Sequence, residues 1–266
     1  MAPGSALQVT RTGQGPDLVL LHGWGMHSGI WHTLVESLAP QYRLHLVDLP
    51  GHGQSQHADS EFDLAQLAED IWQSVSPQLS EPAFWLGWSL GGLAAMQIAL
   101  QQPGQVRALV LVASTPRFSQ ADDWPHAMSP GLLEGFAEQL REDYRTTLQR
   151  FLALQVKGSE SAREALRTLR QRVLASADVN VAALQSGLSI LKEADLRERL
   201  PAIREVPLLL VMGEQDMLVP PAVAPALAGA FDDSQTVIIE GAGHAPFVSH
   251  PQTFVQQVMM FLHARQ

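Results

Sequence analysis

The chain predicts an α/β fold in which a mostly parallel central sheet is flanked by helices. Two patterns carry that expectation. Apolar runs at 18–21, 82–86 and 206–212 are short and show no polar alternation, as expected of strands buried on both faces. Between 43 and 113, strand-like and helix-like stretches alternate as β-α-β-α-β. That alternation builds parallel pairing through helical crossovers. A length of 266 residues, 46% of them apolar, suffices for one large domain or for a domain with an insert.

In chain order, strands are expected near 7–11, 17–21, 43–48, 83–88, 107–113, 206–212 and 235–240. Helices are expected near 30–38, 63–76, 89–101, 221–230 and 251–264. No internal repeat or low-complexity tract is visible.

The run 82–86 leads directly into Gly87-Trp88-Ser89-Leu90-Gly91. A serine on so tight a strand-to-helix turn adopts strained backbone angles that hold its hydroxyl above the end of the sheet. Glycine two residues to either side removes β-carbons that would collide there. Ser89 is therefore the candidate nucleophile. Residues 206–212 end in Gly213-Glu214-Gln215-Asp216, and 235–240 end in Gly241-Ala242-Gly243-His244. Three strand ends thus offer Ser89, Asp216 and His244, in the chain order of the α/β-hydrolases; other triad folds use other orders. Taken singly, Asp216 also reads as a loop acid capping a helix near Pro220, and His244 as a turn histidine with no role. Together, in this order, they point to a triad.

The strand 17–21 runs into His22-Gly23-Trp24-Gly25. In this fold one oxyanion amide comes from the loop after that early strand and the other from the residue following the nucleophile. The backbone N–H groups of Trp24 and Leu90 are the expected donors. His22 is expected to hold the loop by hydrogen bonds rather than to act as the base. His52, within Asp48-Leu49-Pro50-Gly51-His52-Gly53-Gln54-Ser55, is expected in a tight surface turn.

Strand-like runs disappear between Ser114 and about Leu200. Leu132, Leu133, Phe136 and Leu140 follow helical spacing, as do Leu148, Phe151, Leu152 and Gln155, and then Leu166, Leu169, Val173 and Leu174. Breaks fall at Pro125, Pro130, Gly158 and 176–178. An all-helical insert over 115–199 is expected between the sixth and seventh strands, with 1–114 and 200–266 forming the core. Standing ahead of the Asp216 strand, it would lie over the Ser89 end of the sheet as a lid that excludes water. Trp124, Phe136, Phe151, Leu152 and Leu154 are candidates for its pocket wall, although most such residues pack helices on one another.

Composition narrows the function classes. No apolar run reaches the roughly 18 residues of a membrane span. The N-terminus lacks the basic and apolar pattern of a signal peptide. There is no cysteine, which removes disulfides, thiol nucleophiles and Cys-based metal sites. A cytoplasmic protein is expected. A net charge of −10 argues against general nucleic-acid binding. The ten histidines include no H-x-x-x-H pair with a nearby acid, so neither metal nor cofactor is expected. Charge is uneven, however: 141–172 carries +4 while the rest carries −14. Arg163 and Arg167 share a helical face. A basic patch of this kind is either an ordinary solvated face or the seat of an acidic partner.

The whole chain resembles the bacterial pimeloyl-acyl-carrier-protein methyl ester esterases of the biotin pathway. The likeness runs through Leu18-Val19-Leu20-Leu21-His22-Gly23-Trp24-Gly25 and Leu44-His45-Leu46-Val47-Asp48-Leu49-Pro50-Gly51. It is most specific in Trp85-Leu86-Gly87-Trp88-Ser89-Leu90-Gly91-Gly92-Leu93, Arg150-Phe151-Leu152-Ala153-Leu154-Gln155 and Gly243-His244-Ala245-Pro246-Phe247. The resemblance implies Ser89, Asp216 and His244 as the triad and Trp24 with Leu90 as oxyanion donors. It implies a substrate path past Trp24, Ser89, Leu90, Phe151, Leu152, Ala153, Leu154, Gln155 and His244. It also implies a monomer that receives the acidic acyl-carrier protein on Arg145, Arg150, Arg163 and Arg167. A broad short-chain carboxylesterase, a carbon–carbon-bond hydrolase and a non-catalytic ligand-binding relative remain open on the same fold.

Overall fold

The computed structural model describes residues 7–55, 61–155, 167 and 180–266. Seven strands form one sheet: β1 (Val9–Gly13), β2 (Asp17–Leu21), β3 (Arg43–Val47), β4 (Ala83–Trp88), β5 (Val106–Val112), β6 (Leu208–Gly213) and β7 (Ser234–Ile239). Their spatial order is β1-β3-β2-β4-β5-β6-β7. β1 runs antiparallel to β3, and every other neighbouring pair is parallel. The expected class is thus the one found. β2, β4 and β6 are buried along their whole length, which is why they carry no alternation. β7 closes one edge and is largely solvent-facing. β6 begins after Pro207, whose ring nitrogen has no hydrogen for a ladder, rather than at Val206 as the apolar run suggests.

The described helices are α1 (His32–Leu38), α2 (Leu64–Val75), α3 (Leu90–Gln101), α4 (Pro130–Glu142), α5 (Tyr144–Gln155), α6 (Val181–Glu193), α7 (Ala224–Ala228), α8 (Pro246–Ser249) and α9 (Pro251–His263). α2 buries Leu64, Leu67, Ala68, Ile71 and Val75, a single stripe at helical spacing. The Asp63 carboxylate caps it, accepting the Gln66 N–H at 2.8 Å. α3 is apolar on every side and buried from Leu90 to Ala99. It lies between the sheet and α2, so no face needs to be polar.

The helical insert departs from expectation in its place. α4, α5 and α6 lie between β5 and β6, the fifth and sixth strands, and not between a sixth and a seventh. Ahead of them the described chain supplies only β1 to β5, with the single antiparallel strand β1 capping that edge. The stripe of Leu166, Leu169, Val173 and Leu174 lies outside the described residues.

The topology sets where a site can form. β2 lies between β3 and β4, so the chain leaves β2 to one side and returns on the other. A crevice opens at the carboxyl ends of strands at such a reversal. There Leu21 and Gly87 are paired neighbours, which brings the His22–Gly25 loop beside Ser89.

Candidate active site

Ser89 has φ 54° and ψ −118°, a left-handed conformation that costs a non-glycine residue free energy. Its surroundings hold it there. Its N–H donates to the Val112 carbonyl at 2.9 Å, and the Ser114 hydroxyl donates to its carbonyl at 2.8 Å. A β-carbon at Gly87 would run into the Gly91 carbonyl, and one at Gly91 into the Leu21 carbonyl. The two glycines therefore let α3 start hard against β4 and β2. The positive end of the α3 dipole points at Ser89.

Asp216 and His244 meet behind this turn. His244 Nδ1–H donates to Asp216 Oδ2 at 2.8 Å, with both side chains buried. Asp216 Oδ1 accepts the N–H groups of Leu218 and Val219 at 2.8 and 2.9 Å. The acid is thus a turn cap and a histidine partner at once. The His244 loop is tied to its neighbours through the backbone. Trp88 Nε1 donates to the His244 carbonyl at 2.8 Å, and the His244 N–H donates to the Gln155 carbonyl at 2.9 Å. Proton placement on Nδ1 leaves Nε2 as a basic acceptor. Nε2 is buried and makes no hydrogen bond among the described residues, so the bond to Ser89 Oγ is not formed in this structure. In serine hydrolases that contact is the one that tightens when substrate binds.

The His22–Gly25 loop, where an oxyanion amide is expected, lies under the helical insert. Trp24 is fully buried; its Nε1 donates to the Leu184 carbonyl of α6 at 2.8 Å, and its ring meets Phe151 edge-on at 4.8 Å. A β-carbon on Gly187 would stand 2.6 Å from Trp24 Cδ1 and 3.5 Å from Leu90 Cδ2. α6 therefore rests on both residues expected to supply oxyanion amides. Leu184 and Gly187 were not foreseen as neighbours of the site. The one local signal was an isolated glycine inside a helical stretch, which often marks close approach.

Two histidines brace the loop. His22 is buried and bonds the Gly23 carbonyl and the Leu49 N–H, in keeping with its expected role. His52 corrects the expectation of a surface turn. It is only 5% exposed, because its ring turns inward against His22 and accepts the Gly25 N–H.

Of the expected substrate-path residues, Phe151, Leu152 and Gln155 are buried, while Ala153 and Leu154 are half-buried. Phe136 extends the aromatic stack, 5.6 Å from Phe151. Gln155 holds the His244 loop by its carbonyl, and its buried side-chain amide has no partner among the described residues. Trp124 packs elsewhere, under the Arg197 guanidinium. Arg145, Arg150 and Arg167 are exposed; Arg150 donates to Gln139 Oε1 at 2.7 Å and Arg145 to the Tyr144 hydroxyl at 3.0 Å. Arg163 lies outside the described residues.

A strained serine at a strand-to-helix turn, with a carboxylate two strands along holding a histidine three strands along, is the architecture of a serine hydrolase. The chain belongs to the α/β-hydrolase fold family, whose profile matches residues 16–251. It is 48% identical over 245 residues to the pimeloyl-[acyl-carrier protein] methyl ester esterase of Yersinia pestis, covering 92% of each chain. It is 46% identical over 258 residues to the enzyme of the same name from Aeromonas hydrophila subsp. hydrophila, covering 97% of this chain and 99% of the other. Among solved structures, an esterase from Exiguobacterium antarcticum superposes with a TM-score of 0.89 over 97% of this chain and 95% of that one. At 24% identity that likeness speaks for the fold alone.

Proposed function

We propose that this protein is a serine esterase that cleaves the methyl ester of a pimeloyl chain carried on acyl-carrier protein, serving biotin synthesis. The products are methanol and a pimeloyl-acyl-carrier protein with a free terminal carboxylate. The observation that carries the substrate assignment is the identity of 46% or more, over nearly the full length, with the esterases of that name.

The site geometry supports the chemistry. Ser89 Oγ attacks the ester carbonyl as His244 Nε2 takes its proton. Asp216, held by two backbone amides, keeps the proton on Nδ1 and stabilises the imidazolium. The amides of Trp24 and Leu90 receive the oxyanion, the second at the positive end of α3. His244 then protonates the departing methoxide oxygen, and methanol leaves. The same nitrogen deprotonates a water that attacks the acyl-enzyme and passes that proton to Ser89 as the carboxylic acid departs, which then gives its remaining proton to solvent. α4, α5 and α6 act as the lid. Phe151 and Leu152 line the acyl path, with Ala153 and Leu154 along its rim. The buried Gln155 amide, with no partner among the described residues, is a polar group that path offers to the chain. The basic stretch 141–172 receives the acidic carrier through Arg145, Arg150, Arg163 and Arg167.

The direct test incubates the protein with carrier-bound pimeloyl methyl ester and reads the carrier by mass spectrometry. Loss of one methylene mass, absent with Ser89→Ala, is the expected result. An unchanged carrier, with small esters still turned over, would overturn the substrate.

A further inference from the structure

Two peptide planes flank the Trp24 α-carbon, and a buried imidazole grips each. His22 Nδ1–H donates to the Gly23 carbonyl at 2.8 Å, while His22 Nε2 accepts the Leu49 N–H at 3.0 Å. His52 repeats the pattern: Nδ1–H donates to the Pro50 carbonyl at 2.8 Å, and Nε2 accepts the Gly25 N–H at 3.2 Å. A carbonyl only accepts and an amide only donates, so both rings must be neutral with the proton on Nδ1. The rings stand 5.4 Å apart, centroid to centroid.

The consequence is directional. In a trans peptide the C=O and the next N–H point opposite ways. Holding the Gly23 carbonyl therefore aims the Trp24 N–H, and holding the Gly25 N–H fixes the following plane. The turn that carries His52 is anchored in its own right. Asp48 Oδ1 accepts the Ser28 N–H at 2.6 Å and Oδ2 the Gln54 N–H at 2.9 Å. The Ser55 hydroxyl donates to the Asp48 carbonyl at 2.7 Å.

We propose that His52 is a positioning residue for the oxyanion hole: as a neutral acceptor for the Gly25 N–H it works with His22 to point the Trp24 N–H at the developing oxyanion. This rests on the reading of Trp24 as an oxyanion donor given above. A protonated His52 would face the Gly25 N–H with a second donor and release it. Burial pushes the ring below the ordinary histidine range, with the Asp48 carboxylate pulling the other way and His27 adding to the depression. His22 is depressed to about 3, first by burial and then by the His52 ring.

The test compares wild type, His52→Ala and His52→Gln on para-nitrophenyl butyrate and on butylboronic acid, whose serine adduct is tetrahedral. Loss of one oxyanion donor costs roughly a hundredfold or more in turnover, so a misaimed one should cost about tenfold to a hundredfold. His52→Ala should lose kcat by that factor with KM nearly unchanged, and lose boronate affinity in parallel. His52→Gln, whose Oε1 can accept an N–H, should recover part of both. A folded His52→Ala with wild-type kcat and boronate affinity would overturn the proposal, as would a loss that only tracks the folded fraction. Should His52→Ala not fold, nitrogen NMR of the wild type decides: Nδ1 protonated and Nε2 bare at about pH 6 supports the proposal, whereas Nε2–H or an imidazolium overturns it. A wild type that forms no boronate adduct would overturn the nucleophile and the clamp together, a result distinct from wild type and variant binding it equally.

Discussion

Asp216 divides its two carboxylate oxygens between two tasks, one accepting backbone amides and the other holding His244. Asp216→Asn keeps the shape but presents an amide donor where Nδ1–H needs an acceptor, which favours the wrong imidazole tautomer. The variant should fold with a near-normal melting temperature and lose kcat by about a thousandfold or more; near-wild-type turnover would point to another acid. Ser89→Ala should abolish labelling by a fluorophosphonate and cut ester hydrolysis by on the order of a thousandfold or more. Because Ser89 is held at a positive φ, the variant keeps that backbone strain and should not gain much stability. Both residues were readable from the chain, since each ends an apolar run and each obeys a fixed order. The alternative reading of Asp216 as the cap of a helix near Pro220 does not hold: that helix has no side-chain cap, and Asp216 instead accepts the Leu218 and Val219 amides of its own turn.

Among the elements, α6 is the one on which the site leans without having been foreseen. Gly187 lets its backbone approach Trp24 and Leu90. Gly187→Val puts a branched side chain into that contact. Overpacking of this sort costs roughly 1–3 kcal/mol, and it should lower both the melting temperature and kcat; an unaltered kcat would separate α6 from the proposed oxyanion donors. α5 presents two faces. Phe151 and Leu152 point inward, while Arg145 and Arg150 remain exposed. Replacing Arg150 and Arg167 with Glu should raise KM for carrier-linked ester by about tenfold or more while leaving a small free ester nearly untouched, since charge reversal acts on the acidic partner alone. Equal losses on both substrates would make the patch structural. Helical periodicity revealed α4 and α5 because their buried residues recur at fixed steps. It did not show which turn of α6 touches the loop, because a glycine leaves no mark in a hydrophobic pattern.

Over the whole molecule, the paired imidazoles link the His22–Gly25 loop to folding stability. Burial holds both His22, at about 3, and His52 below the 6.5 of an unfolded histidine. The unfolded chain therefore binds more protons as pH falls below about 6.5. This contribution to stability is fully present above that pH and is lost progressively as pH drops toward 3. The charged or titratable neighbours facing the pair are Asp48 and His27. Urea midpoints should fall between about pH 7 and pH 4, and His52→Gln should flatten the slope. Parallel pH profiles for wild type and variant would show that His52 does not contribute.

The strand positions, the elbow glycines and the candidate serine, acid and histidine could all be read along the chain. Each depends on local backbone geometry or on the rule that buried strands are apolar throughout. The inward turn of His52, the seat of Trp24 beneath α6, and the Trp88 tether on the His244 loop depend on contacts between residues far apart. Trp24 reaches across 160 positions to Leu184, and Trp88 across 156 to His244. Periodicity records which face of an element is buried, but not what lies against it, and those partners exist only once the sheet has brought its strand ends together.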